Sequence, residues 1–150
     1  MQQSLTNLLY RFHQQPRLAR NYRLSQDQIS SIAGLLDHLM DDQRPFLRFK
    51  YHIGDLSSDI GIPIWQLSLF LNREIGLNFN AFINHYRVWH CERLIQNGDA
   101  TRENIDSLAV HCGFSNRISL YMAFKKFTGF TPSRYKKAWT RFLNEDNVEH

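Results

Sequence analysis

The feature that most constrains this chain is an internal repeat. The first copy contains Leu56, Ser57, Gly61, Ile62, Leu67, Leu71, Gly76 and Phe82. The second copy contains Leu108, Ala109, Gly113, Phe114, Leu120, Phe124, Gly129 and Tyr135. The two copies are offset by about 52 residues up to the first glycine and by one residue more after it, as if one turn had gained a residue. A repeat of this kind indicates one supersecondary unit that is used twice.

The spacing within each copy predicts a helix-turn-helix. The two helices of that motif cross at about 90–120°, so the first helix needs a small residue at the crossing and the turn needs a residue that tolerates positive φ. Ala109 and Gly113 fill these positions in the second copy, and Ser57 and Gly61 fill them in the first. An ordinary helical hairpin is the alternative for a single copy, but two copies in register favour the helix-turn-helix.

Apolar spacing and capping residues predict the individual helices. The predicted helices run from Ser25 to Met40, Gly54 to Ile60, Pro63 to Ile75, Phe79 to Asn97, Ile105 to Cys112, Asn116 to Thr128 and Pro132 to about Leu143. The predicted N-terminal caps are Ser25 (with Gln28 completing a capping box), Asn78, Asn104 and Ser115. A further short helix is expected from Ser4 to Gln14, and Pro16 should end it.

These helices predict an all-α fold with two helix-turn-helix subdomains, a long linker helix between them and an extra N-terminal helical segment. We expect residues 1–23 to be a flexible arm or linker, 24–52 a docking or dimerising helix, 53–139 the double helix-turn-helix, and 140–150 the end of the last helix and a tail. The apolar stripe within 24–52 must be buried either on its own domain or on a second copy of the chain.

Composition excludes several functional classes. The chain has a hydrophobic content of 43%, a net charge of +4 and a pI of about 9.3, which fits a globular protein with a polyanionic partner. Cys91 and Cys112 are expected as buried thiols in a reducing compartment. We expect no membrane span, because no run of about 18 apolar residues is present. His85 and His90 lie five positions apart on one predicted helix and point in different directions, so we expect no metal site. The sequence contains no Ser/His/Asp arrangement, no Gly-rich phosphate loop and no clustered carboxylate pair, so we expect no enzyme and no cofactor.

Four stretches carry a resemblance to a known family. They are Ile105 to Ala109, Gly113 to Ser115, Ala123 to Gly129 and Thr131 to Tyr135, and the stretch from Asn78 to Val88 matches the family's long helix, including its arginine at Arg87. In this pattern residues 53–139 resemble the AraC/XylS-type DNA-binding domain. The resemblance implies a bacterial, cytoplasmic (nucleoid) transcription regulator whose partner is double-stranded DNA.

In that family the second helix of each unit enters the major groove, and the two grooves are successive. The recognition helices must then lie about 34 Å apart, and a linker helix of about 28 Å is of the right length. The family usually attaches a sensing or dimerising domain ahead of the DNA-binding part, and residues 1–52 are too short for a sugar-binding barrel. The chain is therefore expected to be either part of a longer receptor with a sensor domain elsewhere, or a short protein that forms a homodimer through residues 24–52.

The resemblance also indicates which residues contact bases. In the first unit they are Trp65, Gln66, Ser68, Leu69 and Asn72, and in the second Asn116, Arg117, Ile118, Tyr121 and Met122. Amides at Gln66 or Asn72 suit adenine, Trp65 suits a thymine methyl group or a sugar, and Arg117 suits guanine. The alternative for Trp65 is a core tryptophan. For Arg117 it is a phosphate contact or a solvated surface arginine.

A basic cluster suits the phosphate backbone, with two helix N-termini beside it. The expected phosphate contacts are Asn78, Lys125, Lys126, Thr131, Arg134, Lys136 and Lys137. The chain departs from the family at Leu69 and Met122, where arginine is common. This departure implies either reliance on methyl contacts and DNA shape, or weak binding that needs dimerisation. Together with the modest charge it also leaves a second function open, a helical protein-interaction adaptor with weakened or lost DNA binding.

Overall fold

The computed structural model describes residues 23–100 and 104–146, and throughout these residues the chain is helical or in turns, without strands. The α-helices are α1 Gln26–Asp42, α2 Ile53–Ile60, α3 Ile64–Phe70, α4 Phe79–Gln96, α5 Ile105–His111, α6 Arg117–Thr128 and α7 Pro132–Asp146. A 3₁₀ turn covers Pro45–Leu47 and a π turn covers Leu71–Ile75. The helix expected from Ser4 to Gln14 lies outside the described residues.

The chain forms two compact units, and the boundary between them falls inside α4, between Phe82 and Ile83. The first unit contains α1, α2 and α3, and the second contains α5, α6 and α7. The all-α fold with two helix-turn-helix units and a long helix running from one to the other is confirmed. Each helix-turn-helix therefore has a hydrophobic core of its own.

Helix α1 begins with the capping box predicted from the sequence. The Gln28 amide donates to Ser25 Oγ at 3.2 Å, and the Ser25 amide donates to Gln28 Oε1 at 2.9 Å. The helix packs against α2 and α3. Its buried side chains are Ile32, Leu36, Leu39 and Met40. The apolar stripe of this segment is thus covered by helices of the same chain.

A polar cluster fixes the segment in front of α2. Tyr51 is buried, and its hydroxyl donates to Asp59 Oδ2 at 2.8 Å. Arg48 Nη1 lies 3.0 Å from the same carboxylate oxygen. Burial, with the neighbouring Asp59 as a second cause, raises the pKa of Tyr51, so the phenol stays protonated and keeps donating. The cluster ties residues 48–51 to the end of α2.

The first helix-turn-helix turns at Gly61, whose φ of 67° lies in the left-handed region. Ser57 Oγ donates to the Ile62 carbonyl at 2.7 Å, which holds the turn against α2. The prediction of one helix from Pro63 to Ile75 was wrong in two respects. Pro63 precedes α3 and does not lie in its first turn, and the last five residues, Leu71–Ile75, form a π turn. The π pattern holds one extra residue per turn and leaves both Leu71 and Ile75 fully buried.

The second helix-turn-helix turns through Gly113, whose φ is 84°. The Phe114 amide donates to the Ala109 carbonyl at 2.9 Å, and Phe114 is buried under the turn. Asn104 caps α5 as predicted. The prediction that Ser115 caps α6 was wrong, because the Ser119 amide donates to Asn116 Oδ1 at 2.9 Å and α6 begins at Arg117. The extra residue of this copy therefore lies in its turn.

The core of the second unit is one cluster of buried side chains. It consists of Val88, Cys91, Ile95, Ala100, Leu108, Ala109, Cys112, Phe114, Leu120, Ala123 and Phe124. The last helix adds the ring of Tyr135, whose centroid lies 5.4 Å from that of Phe124 in an edge-to-face arrangement. Both cysteines are free and buried in this cluster, as the sequence predicts.

Helix α7 supplies hydrogen-bond donors to the end of α4. Trp139 Nε1 donates to the Gln96 carbonyl at 3.3 Å, and Lys136 Nζ donates to the Ala100 carbonyl at 2.6 Å. Gln96 Nε2 in turn donates to the Tyr135 hydroxyl at 2.8 Å. The Trp139 bond satisfies a carbonyl at the end of α4, a group that a helix end otherwise leaves without a partner, and the Lys136 bond fixes the turn that follows. The helix extends to Asp146, three residues beyond the predicted end.

Candidate nucleic-acid interface

Helices α3 and α6 bury the same face. The buried positions are Leu67, Phe70 and Leu71 in the first unit and Leu120, Ala123 and Phe124 in the second. Each residue of the first set precedes its counterpart by 53 positions. Because a helix turns by about 100° per residue, equivalent buried faces leave equivalent faces exposed. The sequence prediction of which side of each helix packs is therefore confirmed by burial.

The exposed face of α6 combines apolar and basic side chains. Ile118 is 66% exposed and Met122 is 72% exposed. Arg117, at the first position of the helix, is also exposed. Tyr121 is half-buried, and its hydroxyl lies 3.3 Å from Ser133 Oγ. Of the five predicted base contacts, three side chains are exposed, Tyr121 is half-buried, and Asn116 caps the helix.

The exposed face of α3 is more apolar. Trp65 is 51% exposed, so it is not a core tryptophan. Asn72 is exposed, and its Nδ2 donates to the Ser68 carbonyl at 2.8 Å. Gln66, Ser68 and Leu69 are half-buried. Four of the predicted base contacts of the first unit therefore lie on α3, with Trp65 the most exposed of the four, and Asn72 lies in the π turn that follows.

The basic side chains do not all point the same way. Lys125, Lys126, Arg134 and Lys137 are exposed. The cations of Lys126 and Arg134 lie over neighbouring rings, at 5.6 Å from the centroid of Phe127 and 5.3 Å from that of Phe130 respectively. Lys136 is directed to the Ala100 carbonyl of its own chain.

Two predicted phosphate contacts are residues that precede helices. Asn78 Oδ1 accepts from the Ala81 amide at 2.9 Å in front of α4, as the capping prediction requires. Thr131 Oγ1 accepts from the Arg134 amide at 3.3 Å in front of α7. Each of these side chains satisfies one amide of its first helical turn.

The two helix-turn-helix units carry opposite charge. Between residues 53 and 76, Asp55, Asp59 and Glu74 outnumber the single cation Arg73. Between residues 105 and 143, Asp106 is the only acidic residue, against the cations Arg117, Lys125, Lys126, Arg134, Lys136, Lys137 and Arg141. Long-range attraction to a polyanion is therefore concentrated in the second unit.

A half-buried arginine of α4 contacts the turn of the second helix-turn-helix. The guanidinium carbon of Arg87, on α4, lies 5.7 Å from the centroid of the Phe114 ring, and burial lowers the pKa of Arg87. This contact joins α4 to the turn of the second helix-turn-helix. The sequence indicates Arg87 only through the family resemblance, whose long-helix pattern contains an arginine at this position.

Residues 23–100 and 104–146 contain no group of three histidine, cysteine or acidic side chains placed to hold a metal ion. None of the helices in these residues has both the length and the apolar content of a membrane span.

Comparisons with known proteins agree with this geometry. The family model described as a helix-turn-helix domain matches residues 56–138. An uncharacterized HTH-type transcriptional regulator of Staphylococcus aureus is 26% identical over 132 residues, which cover 86% of this chain and 16% of the relative. The HTH-type transcriptional activator RhaR of Escherichia coli is 24% identical over 127 residues, which cover 83% of this chain and 44% of the relative. The chain thus spans less than half the length of these relatives.

Two solved structures share the fold. A protein of unknown function from Listeria innocua is 27% identical, with a TM-score of 0.57 over 71% of this chain and 95% of that one. The C-terminal domain of AraT, a response regulator from Geobacillus stearothermophilus, also has a TM-score of 0.57. It is 20% identical and covers 78% of this chain and 88% of that one, so it supports the fold alone.

Proposed function

The chain belongs to the AraC-type helix-turn-helix family, and on that premise we propose that it is a sequence-specific DNA-binding transcription regulator that inserts α3 and α6 into successive major grooves. The observation that carries the proposal is the exposed face of α6. It presents Arg117 and Lys125 beside Ile118 and Met122, while the opposite face is fixed in the core. A helix held in this way has a defined surface to place in a groove.

Base contacts and phosphate contacts divide between different side chains in this proposal. Bases are contacted in the first unit by Trp65, Gln66, Ser68, Leu69 and Asn72, and in the second by Arg117, Ile118, Tyr121 and Met122. Asn116 contributes mainly by starting α6, since its amide oxygen already accepts the Ser119 amide. Arg117, whose fork of donors suits the O6 and N7 atoms of guanine, is the strongest single candidate for base recognition.

Phosphate contacts fix orientation and supply the salt-dependent part of the affinity. The proposed side chains are Lys125, Lys126, Arg134 and Lys137, with the helix N-termini at Asn78 and Thr131 contributing backbone amides. Lys136 is assigned to the structure of the second unit, because its amine bonds to the Ala100 carbonyl.

The cellular setting follows from the same proposal. A regulator that binds chromosomal DNA acts in the cytoplasm, at the nucleoid, and performs no catalysis. The matched relatives are longer than this chain, which is compatible with the sensor domain that the family resemblance implies for a longer receptor. A homodimer through residues 24–52 would need a face other than Ile32, Leu36, Leu39 and Met40, because α2 and α3 lie in the same unit and pack against α1.

Selection from duplexes with a randomised centre, followed by fluorescence anisotropy, tests the proposal. We expect a selected duplex to bind at least about a thousandfold more tightly than a scrambled one. The logarithm of the affinity should fall linearly with the logarithm of the salt concentration, with a slope of about −0.9 per phosphate contact. Failure to find salt-dependent binding to any duplex would contradict the proposal and favour a protein-interaction adaptor.

A further inference from the structure

The exposed apolar side chains of α6 need an explanation that charge does not provide. Ile118 and Met122 lie four residues apart, so their directions differ by about 40° around the helix, and both point away from the buried Leu120 and Phe124. A face that only meets water or phosphate is normally polar. Here the centre of the face is apolar, and the cations Arg117 and Lys125 lie beside it.

The same arrangement occurs in α3. Trp65 and Leu69 precede Ile118 and Met122 by 53 positions, the offset that relates the buried faces of the two helices. Trp65 is 51% exposed and Leu69 is half-buried. An apolar pair at the centre of the exposed face is therefore a property of both recognition helices, although their charged neighbours differ.

We infer that Ile118 and Met122 recognise thymine through its 5-methyl group, so that the DNA site of the second unit contains thymine at the positions facing these two side chains. The inference rests on the proposed function and specifies which bases the apolar part of the site selects. In the major groove, the 5-methyl group of thymine is the apolar feature that distinguishes an A·T pair from the other pairs.

The neighbouring charges favour DNA over an apolar protein surface as the occupant of this face. Arg117, Lys125 and Lys126 lie on the same helix, so a partner that covers Ile118 and Met122 also meets these cations. Burial of charged side chains against an apolar protein surface is costly. The phosphates on either side of a groove compensate the cations, while the methyl groups within it contact the apolar pair.

Replacement of single thymines by deoxyuridine tests the inference, because uracil lacks only the methyl group. The full chain is titrated by anisotropy against the selected duplex and against duplexes carrying one deoxyuridine at each thymine in turn. Loss of one buried methyl group is expected to raise Kd about fourfold at one or two positions. At the other thymines the two duplexes should bind equally.

Substitution in α6 then assigns each sensitive thymine to a side chain. With Ile118→Ala or Met122→Ala, the ratio of the Kd for the deoxyuridine duplex to the Kd for the thymine duplex should fall to about one at one sensitive position. The deoxyuridine duplex should bind the variant as tightly as it binds the original chain. Val110→Ala is the matched control. Val110 is 64% exposed on α5, outside the recognition helix, so the ratio should stay unchanged.

The outcomes separate this inference from the proposed function. Specific binding with no sensitivity to deoxyuridine would overturn the inference and leave the DNA-binding proposal intact. So would a sensitivity that persists in both alanine variants. Absence of binding to every duplex would overturn both. Because both side chains are exposed, the variants should keep the helical content and melting temperature of the original chain, which circular dichroism measures.

Discussion

The two helix-turn-helix units differ where they face outward and agree where they pack. In each unit three buried side chains line one side of the recognition helix, and each side chain of the first unit precedes its counterpart in the second by 53 positions. On the other side, Ile64 and Asn72 in the first unit correspond to Arg117 and Lys125 in the second. The comparison shows that packing fixes the scaffold, whereas the exposed positions are free to differ in charge. We therefore expect the second unit to supply most of the electrostatic affinity.

The largest effects are expected from substitutions at buried positions that pack in the same way in both units. Leu67→Ala and Leu120→Ala each remove a fully buried side chain at equivalent positions. Each substitution should lower the free energy of unfolding by about 2–5 kcal/mol, because a cavity replaces packed methyl groups. Urea denaturation measures the change, and Met122→Ala, at an exposed position, should cost less than about 0.5 kcal/mol. A large effect in only one unit would show that the two cores are not equivalent.

Unequal DNA recognition should appear at the first helical position. Arg117→Ala is expected to weaken binding to the selected duplex by about 1–3 kcal/mol, because the proposed bidentate contact to guanine would be lost. Ile64→Ala, at the equivalent position of α3, has no such contact to lose and should change the affinity much less. Anisotropy titrations on the same duplex compare the two variants. Equal losses would mean that Arg117 does not contact a base.

A side-chain cap should contribute to stability at the start of α6 but not at the start of α3. Asn116→Ala removes the acceptor of the Ser119 amide and should cost about 1 kcal/mol of stability. Asn116→Ser retains a capping oxygen and should cost little. In the first unit the corresponding residue is Pro63, which has no polar side chain, so Pro63→Ala cannot remove a side-chain cap. Thermal melting of the three variants measures these effects. A melting temperature unchanged by Asn116→Ala would contradict the assigned cap.

The smallest expected effect is an exchange of charge between the units. Lys125→Asn should make the salt dependence of DNA binding less steep by about 0.9, the contribution of one phosphate contact. Asn72→Lys, at the equivalent position in the π turn after α3, should make the salt dependence steeper by a similar amount when the first unit also lies against DNA. Lys50→Asn changes an exposed cation outside both helix-turn-helix motifs and serves as the control. An unchanged slope for Asn72→Lys would indicate that the first unit contributes little binding.

Local patterns in the sequence were sufficient for the helices and for most of their beginnings. Ser25, Asn78 and Asn104 each accept an amide hydrogen from the first turn of their helix, because the side chain and the amide lie three residues apart. The choice between Ser115 and Asn116 could not be made locally, since both residues are good caps and lie side by side. It depends on where the turn places the chain after Phe114 packs on the core.

The remaining differences arise from contacts between distant residues. The π turn at Leu71–Ile75 has no signature in a pattern that suits an ordinary helix equally well. Lys136 belongs to a basic cluster in the sequence, but its amine bonds to a carbonyl 36 residues earlier in the chain. The exposure of Ile118 and Met122 was predicted from the helical period. The structure adds that the two side chains form one apolar pair on the exposed face of α6, and that α3 carries an equivalent pair.

The bonds from α7 to the end of α4 and to the turn after it affect the order in which the two units fold during synthesis. A ribosome synthesises the chain from the N-terminus, so α4 emerges before the residues that complete its end. The Gln96 and Ala100 carbonyls can form their hydrogen bonds only after Trp139 and Lys136 have been synthesised. The Phe124 ring likewise gains its edge-to-face contact only after Tyr135 has been synthesised. The first unit can therefore finish folding while the second is still being translated, and the unit with more positive charge becomes competent last.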